Sequence, residues 1–264
     1  MSVKICLDAG HYGKYNRSPG VPEYYESEMN WKLHLLLKKE LEKYGITVIT
    51  TRSDPASDLE LTRRGRLSKD CDLFLSLHSN AVGGEMNEAV DRPVGIHFVD
   101  DDCGPIDEQS KTIARLLANV VREVMQTNQP AQVYSRLSDR DRDGDGEKND
   151  DYYGVLWGAH QVGVPGVILE HSFHTCTRSA KWLLEEENLR ALAVAEADAL
   201  AKFFGVGKHP FADVPQDAYY AEAVRWAWEK GILFGRDETH FDPDSPLTRA
   251  EMVAMLFRAL GKGG

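Results

Sequence analysis

Short apolar runs alternate along most of the chain with longer stretches whose apolar residues recur at helical spacing. The strand-like runs are VKICLD at 3–8, ITVITTR at 46–52, DLFLSLH at 72–78, VGIHFVD at 94–100 and GVILE at 166–170. Between the first two, EMNWKLHLLLKKELEKYG carries Trp31, Leu35, Leu36 and Leu41 at helical spacing and closes at Gly45. EQSKTIARLLANVVREVMQ and NLRALAVAEADALAKFFG, which ends at Gly205, predict two further helices. Strand, helix, strand in repeated order is the mark of βαβ units. The expectation for residues 1–205 is therefore one α/β domain, a mainly parallel twisted sheet with helices on both faces.

The texture changes after VGKHP at 206–210, which reads as a linker. Residues 211–264 predict two helical segments around a loop rich in Asp, Gly and Pro. Thr248 stands three before Glu251 at the head of an apolar helical run, so a capping box is expected there. So small an α-helical module has a thin core, which implies docking or a homo-oligomer through it.

Composition narrows the function classes. A formal net charge of −11 excludes a phosphate-backbone partner, because binding nucleic acid requires clustered Lys and Arg. No run approaches the roughly 18–20 apolar residues of a membrane span. MSVKICLDAGH enters a strand pattern at once and leaves no room for a signal peptide. Cys6, Cys71, Cys103 and Cys176 form no CxxC pair and read as free thiols, mostly buried, rather than as disulfides.

Open α/β sheets bind ligands beyond the carboxyl ends of their strands, so the residues just after each run carry the information. Three such ends hold ligand-type side chains: LDAGH with His11, LSLHSN with His78 and VILEHSFH with Glu170. Two imidazoles converging on one crevice suit a catalytic zinc, which takes three protein ligands and keeps a position open. Spacing leaves the third ligand undecided among Glu23, Glu26, Glu28, Asp8 and His171.

The set DAGH, ESEMN, TR after the second strand, SLHSN and VILEHSF resembles zinc-dependent N-acetylmuramoyl-L-alanine amidases in order and separation, over about residues 3–205. The resemblance implies one Zn2+ ion on His11, Glu26 and His78, with Glu170 as the catalytic glutamate. It further implies peptidoglycan as substrate, cut between the muramoyl lactyl group and the L-alanine of the stem peptide. Glu170 would take a proton from the attacking water and pass it to the leaving amine. The chain departs from the family where GHYGKY and EHSF stand in place of glycine-bearing motifs, which bears on the substrate pocket. Asn80 and His171 are named as substrate contacts, although alternation turns His171 to the face opposite Glu170 and puts His174 in the following loop.

DRDRDGDGEKND at 139–150 fits the spacing of a calcium loop, with Asp139, Asp141, Asp143, Asp145 and Asp150 as candidate Ca2+ ligands and Gly144 at the turn. Its flanks do not read as the two helices of an EF-hand, and a solvated acidic loop is the competing reading. The segments FADV, WAWEKGILFG, FDPDSPLTRAEM and LFRAL resemble an S-layer homology module. That resemblance implies attachment to a secondary cell-wall polymer, with Arg249 as the glycan-binding residue. Action at the bacterial cell wall follows, after phage-type release or as a trimmed secreted protein. A zinc peptidase acting within the stem peptide and a non-catalytic wall-binding protein are the alternative functions.

Overall fold

The computed structural model describes residues 3–100, 104–207, 211–215, 218–237 and 239–261. Cys103 and linker residues 208–210 lie outside them. The first strand, β1 (Lys4–Ala9), leads through a long loop into α1 (Glu26–Glu42) and then β2 (Thr47–Thr50). A short helix α2 (Leu61–Arg66), β3 (Leu73–Asn80) and β4 (Val94–His97) follow. Next come α3 (Pro105–Met125), β5 (Gln132–Tyr134), α4 (Gly154–His160) and β6 (Gly166–Phe173). Helices α5 (Thr177–Leu184) and α6 (Glu186–Phe203) complete the α/β domain, and α7 (Ala221–Glu229) and α8 (Arg249–Leu260) form the C-terminal module.

The six strands form one sheet in the order β2-β1-β3-β6-β4-β5. The first four run parallel, whereas β4 lies antiparallel to β6 and β5 runs with β4. This reversal has a simple cause. Residues 81–93 contain no crossover helix, so the chain leaving β3 re-enters the sheet from the same end, and only an antiparallel strand can do that. The edge strand β5 is three residues long and incompletely buried, too short to leave a period in the sequence.

Alternation divides the sheet into two faces. Ile5, Leu7, Leu75, Leu77, Val167 and Leu169 pack beneath α1, α3 and α6. Cys6, Phe74, Ile96 and Ile168 pack beneath Val155, Leu156 and Ala159 of α4. Helices α2 and α4 cross backbone to backbone: a Cβ on Gly65 would lie 2.1 Å from the Val155 carbonyl oxygen, and one on Gly158 equally close to that of Thr62. Both helices are too short for a periodic signal and owe their existence to this contact.

The buried face of α1 differs from the expected stripe. Leu33, Leu37 and Leu41 are buried and Leu35 is exposed. Asn30 and Glu26 lie on the same buried face, one and two turns before Leu33 respectively. One face therefore anchors the helix in the core with its leucines and presents polar groups at its head.

Cys6 and Cys176 are buried free thiols, and Cys71 is a half-buried one. In the C-terminal module Phe211, Val214, Ala221, Val224, Ala227 and Leu233 form a small core. The capping box at Thr248 and Glu251 is present. Helix α8 has no buried residue, and Val253, Phe257 and Leu260 stand in solvent. No helix among the described residues is long and apolar enough to cross a membrane.

Candidate metal centre and catalytic cleft

Three elements meet beyond the carboxyl ends of β1 and β3. After β1 the chain turns sharply, with His11 in the left-handed region at φ 59°. Gly10 is required by its neighbour: a Cβ there would lie 2.2 Å from the His78 imidazole. Glu26 enters as the first residue of α1, almost wholly buried. Its Oε1 lies 2.8 Å from His78 Nδ1 and accepts from the Ser79 N–H at 3.2 Å. Its Oε2 accepts from Asn16 Nδ2 at 2.6 Å and lies 3.3 Å from His11 Nε2.

Burial alone would raise the Glu26 carboxyl, but the bonds and charges of His11 and His78 hold it well below the usual carboxylate range. One ligand atom from each of His11, Glu26 and His78 can be chosen so that all lie within 4.8 Å of one another. Zinc bonds of about 2.0–2.1 Å in a tetrahedron separate ligand atoms by about 3.3 Å, so two nitrogens and an ionised oxygen at this spacing fit the ion.

Glu170 is the register partner of His78 on the neighbouring strand β6, so the two side chains stand side by side on one face. Its Oε2 is buried and has no hydrogen-bond partner among the described residues. Desolvation, reinforced by the charge of Glu26, pushes its carboxyl well above the usual range. A cavity of about 460 Å³ opens over His11, His78 and Glu170, walled by Tyr12, Tyr15, Leu61, Arg64, Tyr152 and Tyr153. Tyr15 stacks on the His11 ring at 4.7 Å. The arrangement joins a place for a cation to a carboxyl able to hold or release a proton, beneath an aromatic wall.

The supporting contacts explain other motif residues. Asp8, fully buried, accepts from Thr51 Oγ1 and Ser76 Oγ, each at 2.6 Å. Arg52 donates to the Ala9 carbonyl and lies over the Trp31 ring, which pins the end of β1. Asn30 Nδ2 donates to the Gly10 carbonyl at 3.1 Å. Asn16 is a contact of Glu26 that the sequence did not reveal; it sits in a loop with no period, and only its left-handed φ of 52° marks the place.

Two proposed substrate contacts are placed elsewhere. His171 is fully buried, its Nδ1 2.9 Å from the His78 carbonyl oxygen and its Nε2 2.9 Å from Glu196 Oε1. It faces α6 rather than the cleft, as alternation requires. Asn80 is absent from the cavity wall; its Oδ1 accepts from the Ala81 N–H. His174 is buried against Tyr24, with Nδ1 3.1 Å from the Ser79 carbonyl oxygen.

The acidic loop gathers Asp141, Asp143 and Asp145 in one group and Asp100, Asp143 and Asp150 in another, while Asp139 belongs to neither. A bridge between Leu137 and Asp151 closes its base, so the flanks are not the helix pair of an EF-hand. Arg249 is the exposed first residue of α8. It does not line the 460 Å³ groove of that module, whose cations are Arg236 and Arg258.

The N-acetylmuramoyl-L-alanine amidase family profile matches residues 5–202, and the S-layer homology domain profile matches residues 210–253. A cell surface protein of Thermoanaerobacter kivui is 42% identical over 52 residues, 20% of this chain, which spans 7% of that protein's length. Among solved structures, an N-acetylmuramoyl-L-alanine amidase from Clostridium difficile 630 superposes with a TM-score of 0.62 at 18% identity, over 77% of this chain and 97% of that one. The catalytic domain of the amidase CwlV from Bacillus (Paenibacillus) polymyxa var. colistinus gives 0.60 at 18%, over 78% and 99%. At such identities the likeness is one of fold. Matched in sequence from β1 to the end of α6, the chain belongs to the N-acetylmuramoyl-L-alanine amidase family and carries an S-layer homology domain behind it.

Proposed function

We propose that this chain hydrolyses peptidoglycan at the amide between N-acetylmuramic acid and the L-alanine of the stem peptide, using one zinc ion held by His11, Glu26 and His78. The observation that carries the reading is the pairing of this three-ligand cluster with Glu170, its in-register neighbour, whose Oε2 has no partner among the described residues. When bound, such an ion supplies Lewis acidity, which acidifies water to a pKa of about 7 and polarises an amide carbonyl. Glu170 Oε2 takes the proton of the attacking water and returns it to the amine as the C–N bond breaks. Acid–base help of this kind contributes roughly 10²–10⁴ in rate. Tyr15 holds the His11 ring by stacking, Glu26 keeps its charge through the bonds it accepts, and the tyrosine walls exclude water from the reacting bond.

Purified peptidoglycan digested by wild type, by Glu170→Ala and by chelated protein tests the assignment. New N-terminal alanine on intact glycan strands supports it. Cleavage inside the stem peptide makes the protein a peptidase instead, and digestion by Glu170→Ala at the wild-type rate removes Glu170 from the chemistry. The S-layer homology domain is one of cell-surface association, and its proposed partner here is a secondary cell-wall polymer, with Arg249 and the Arg236 and Arg258 groove as candidate contacts. Self-association through the exposed face of α8 is a companion proposal, tested by sedimentation of wild type against Phe257→Glu. Calcium at the acidic loop is proposed as a second, structural ion.

A further inference from the structure

The fully buried His171 and Glu196 stand among leucines and alanines of the layer between the sheet and α6. Burying an ionisable pair there costs more than burying apolar side chains of the same volume, and Glu196 Oε2 has no partner among the described residues. What the pair touches gives it a purpose. His171 Nδ1 lies 2.9 Å from the carbonyl oxygen of His78. A carbonyl oxygen only accepts, so Nδ1 carries the hydrogen whichever partner holds the proton between Nε2 and Glu196.

The peptide unit that receives this bond joins His78 to Ser79, and its other end is the Ser79 N–H that donates to Glu26 Oε1. A continuous chain of hydrogen bonds therefore runs from Glu196 through His171 and the 78–79 peptide to Glu26. Bonds in series polarise one another, so the imidazole strengthens the peptide N–H as a donor to the carboxylate. The backbone geometry agrees. His78 pairs with Glu170 but Asn80 pairs with Phe173, so β6 carries one extra residue here, a bulge of the kind found beside active sites. Ser172, inside that bulge, has φ 60° and is held through its Oγ by Asp91 Oδ1 at 2.9 Å.

We propose that His171, oriented by Glu196, is a positioning residue that sets the 78–79 peptide and through it both His78 and Glu26 as metal ligands. The inference rests on the zinc reading above. Outer partners of metal ligands typically contribute 10–100-fold in metal affinity. The test compares His171→Ala, His171→Asn and His171→Gln in the full chain, reading the Zn2+ dissociation constant by chelator competition and the visible spectrum after Co2+ substitution. Asn places an N–H close to the Nδ1 position, whereas Gln places its amide near Nε2. Expected are a 10–100-fold rise in the zinc dissociation constant with a shifted cobalt spectrum for Ala and Gln, and recovery to within about threefold of wild type for Asn. Leu200→Ala, a core truncation in α6 one turn after Glu196, should leave both readouts unchanged. Equal behaviour of the Asn and Gln variants, or an Ala variant with wild-type zinc affinity and cobalt spectrum, overturns the proposal. Wild type that binds no zinc overturns the metal reading itself. Should Ala fail to fold, the Asn and Gln pair still decides.

Discussion

Replacing Gly10 with alanine adds one methyl group at the point where β1 passes the imidazole of His78. The added carbon would lie 2.2 Å from both Cε1 and Nε2 of that ring and 2.7 Å from Cδ2. Non-bonded carbons rest at about 3.5 Å or more, so the ring must retreat by roughly 1.3 Å or the end of β1 must bend away. Neither is easy. The ring is held at Nδ1 by Glu26, and the Gly10 carbonyl is held by Asn30. Gly10 is not among the positive-φ residues, so alanine suits its backbone and the effect is confined to the clash. Metal–ligand distances tolerate about 0.2 Å, which makes a displacement of roughly 1.3 Å incompatible with an intact site. Gly10→Ala should therefore raise the zinc dissociation constant at least tenfold and lower turnover of purified peptidoglycan about 100-fold, with a stability loss of only about 1–3 kcal/mol from overpacking. Chelator competition, dye release from labelled walls and thermal melts measure the three. Zinc affinity and turnover within threefold of wild type would show that His78 is not held where the metal reading needs it.

Glu170→Gln should lower turnover by roughly 10²–10⁴ while zinc content, measured by elemental analysis, stays at the wild-type level; loss of the metal would instead make Glu170 a ligand. His34 is buried and its imidazole is pushed down to about 4 by burial, so it stays neutral in the folded state where the unfolded chain takes a proton. Its contribution to stability is complete above pH ~6.5, declines as pH falls toward 4 and is then lost, about 3 kcal/mol in all. Melting curves of wild type and His34→Leu across that range should differ in slope, and parallel curves would refute the assignment. Calcium at ten times its dissociation constant should stabilise wild type by about 1.4 kcal/mol and leave Asp143→Asn unaffected, because Asp143 belongs to both acidic groups. A calcium response retained in Asp143→Asn would place the ion elsewhere.

Much of the fold was legible because strands buried on both faces must be apolar throughout and long helices must show a period. The strand ends were legible for a related reason, since polar residues there interrupt an apolar run. The losses are equally physical. Helices α2 and α4 hold together through close backbone contact at Gly65 and Gly158, which adds no periodic signal. The direction of β4 depends on a loop without a crossover, and β5 on three residues at an edge. Leu35 shares the helical spacing yet lies exposed, because spacing identifies a stripe more readily than its phase. The phase of α1 depends on Glu26 and Asn30 occupying the head of its buried face.

VILEHSFHT shows where the division falls. Alternation along a strand was enough to send Glu170 and His171 to opposite faces, because the side-chain period of a strand is two. The local sequence also named His11, His78 and Glu170, since each closes its own apolar run. It could not choose Glu26 from its neighbours by spacing, because that choice depends on a helix phase and on a partner 52 residues away. Nor could it say what His171 and His174 do. Their roles depend on meeting the 78–79 peptide and Ser79 across 93 and 95 residues of chain, a convergence that only the packed sheet brings about.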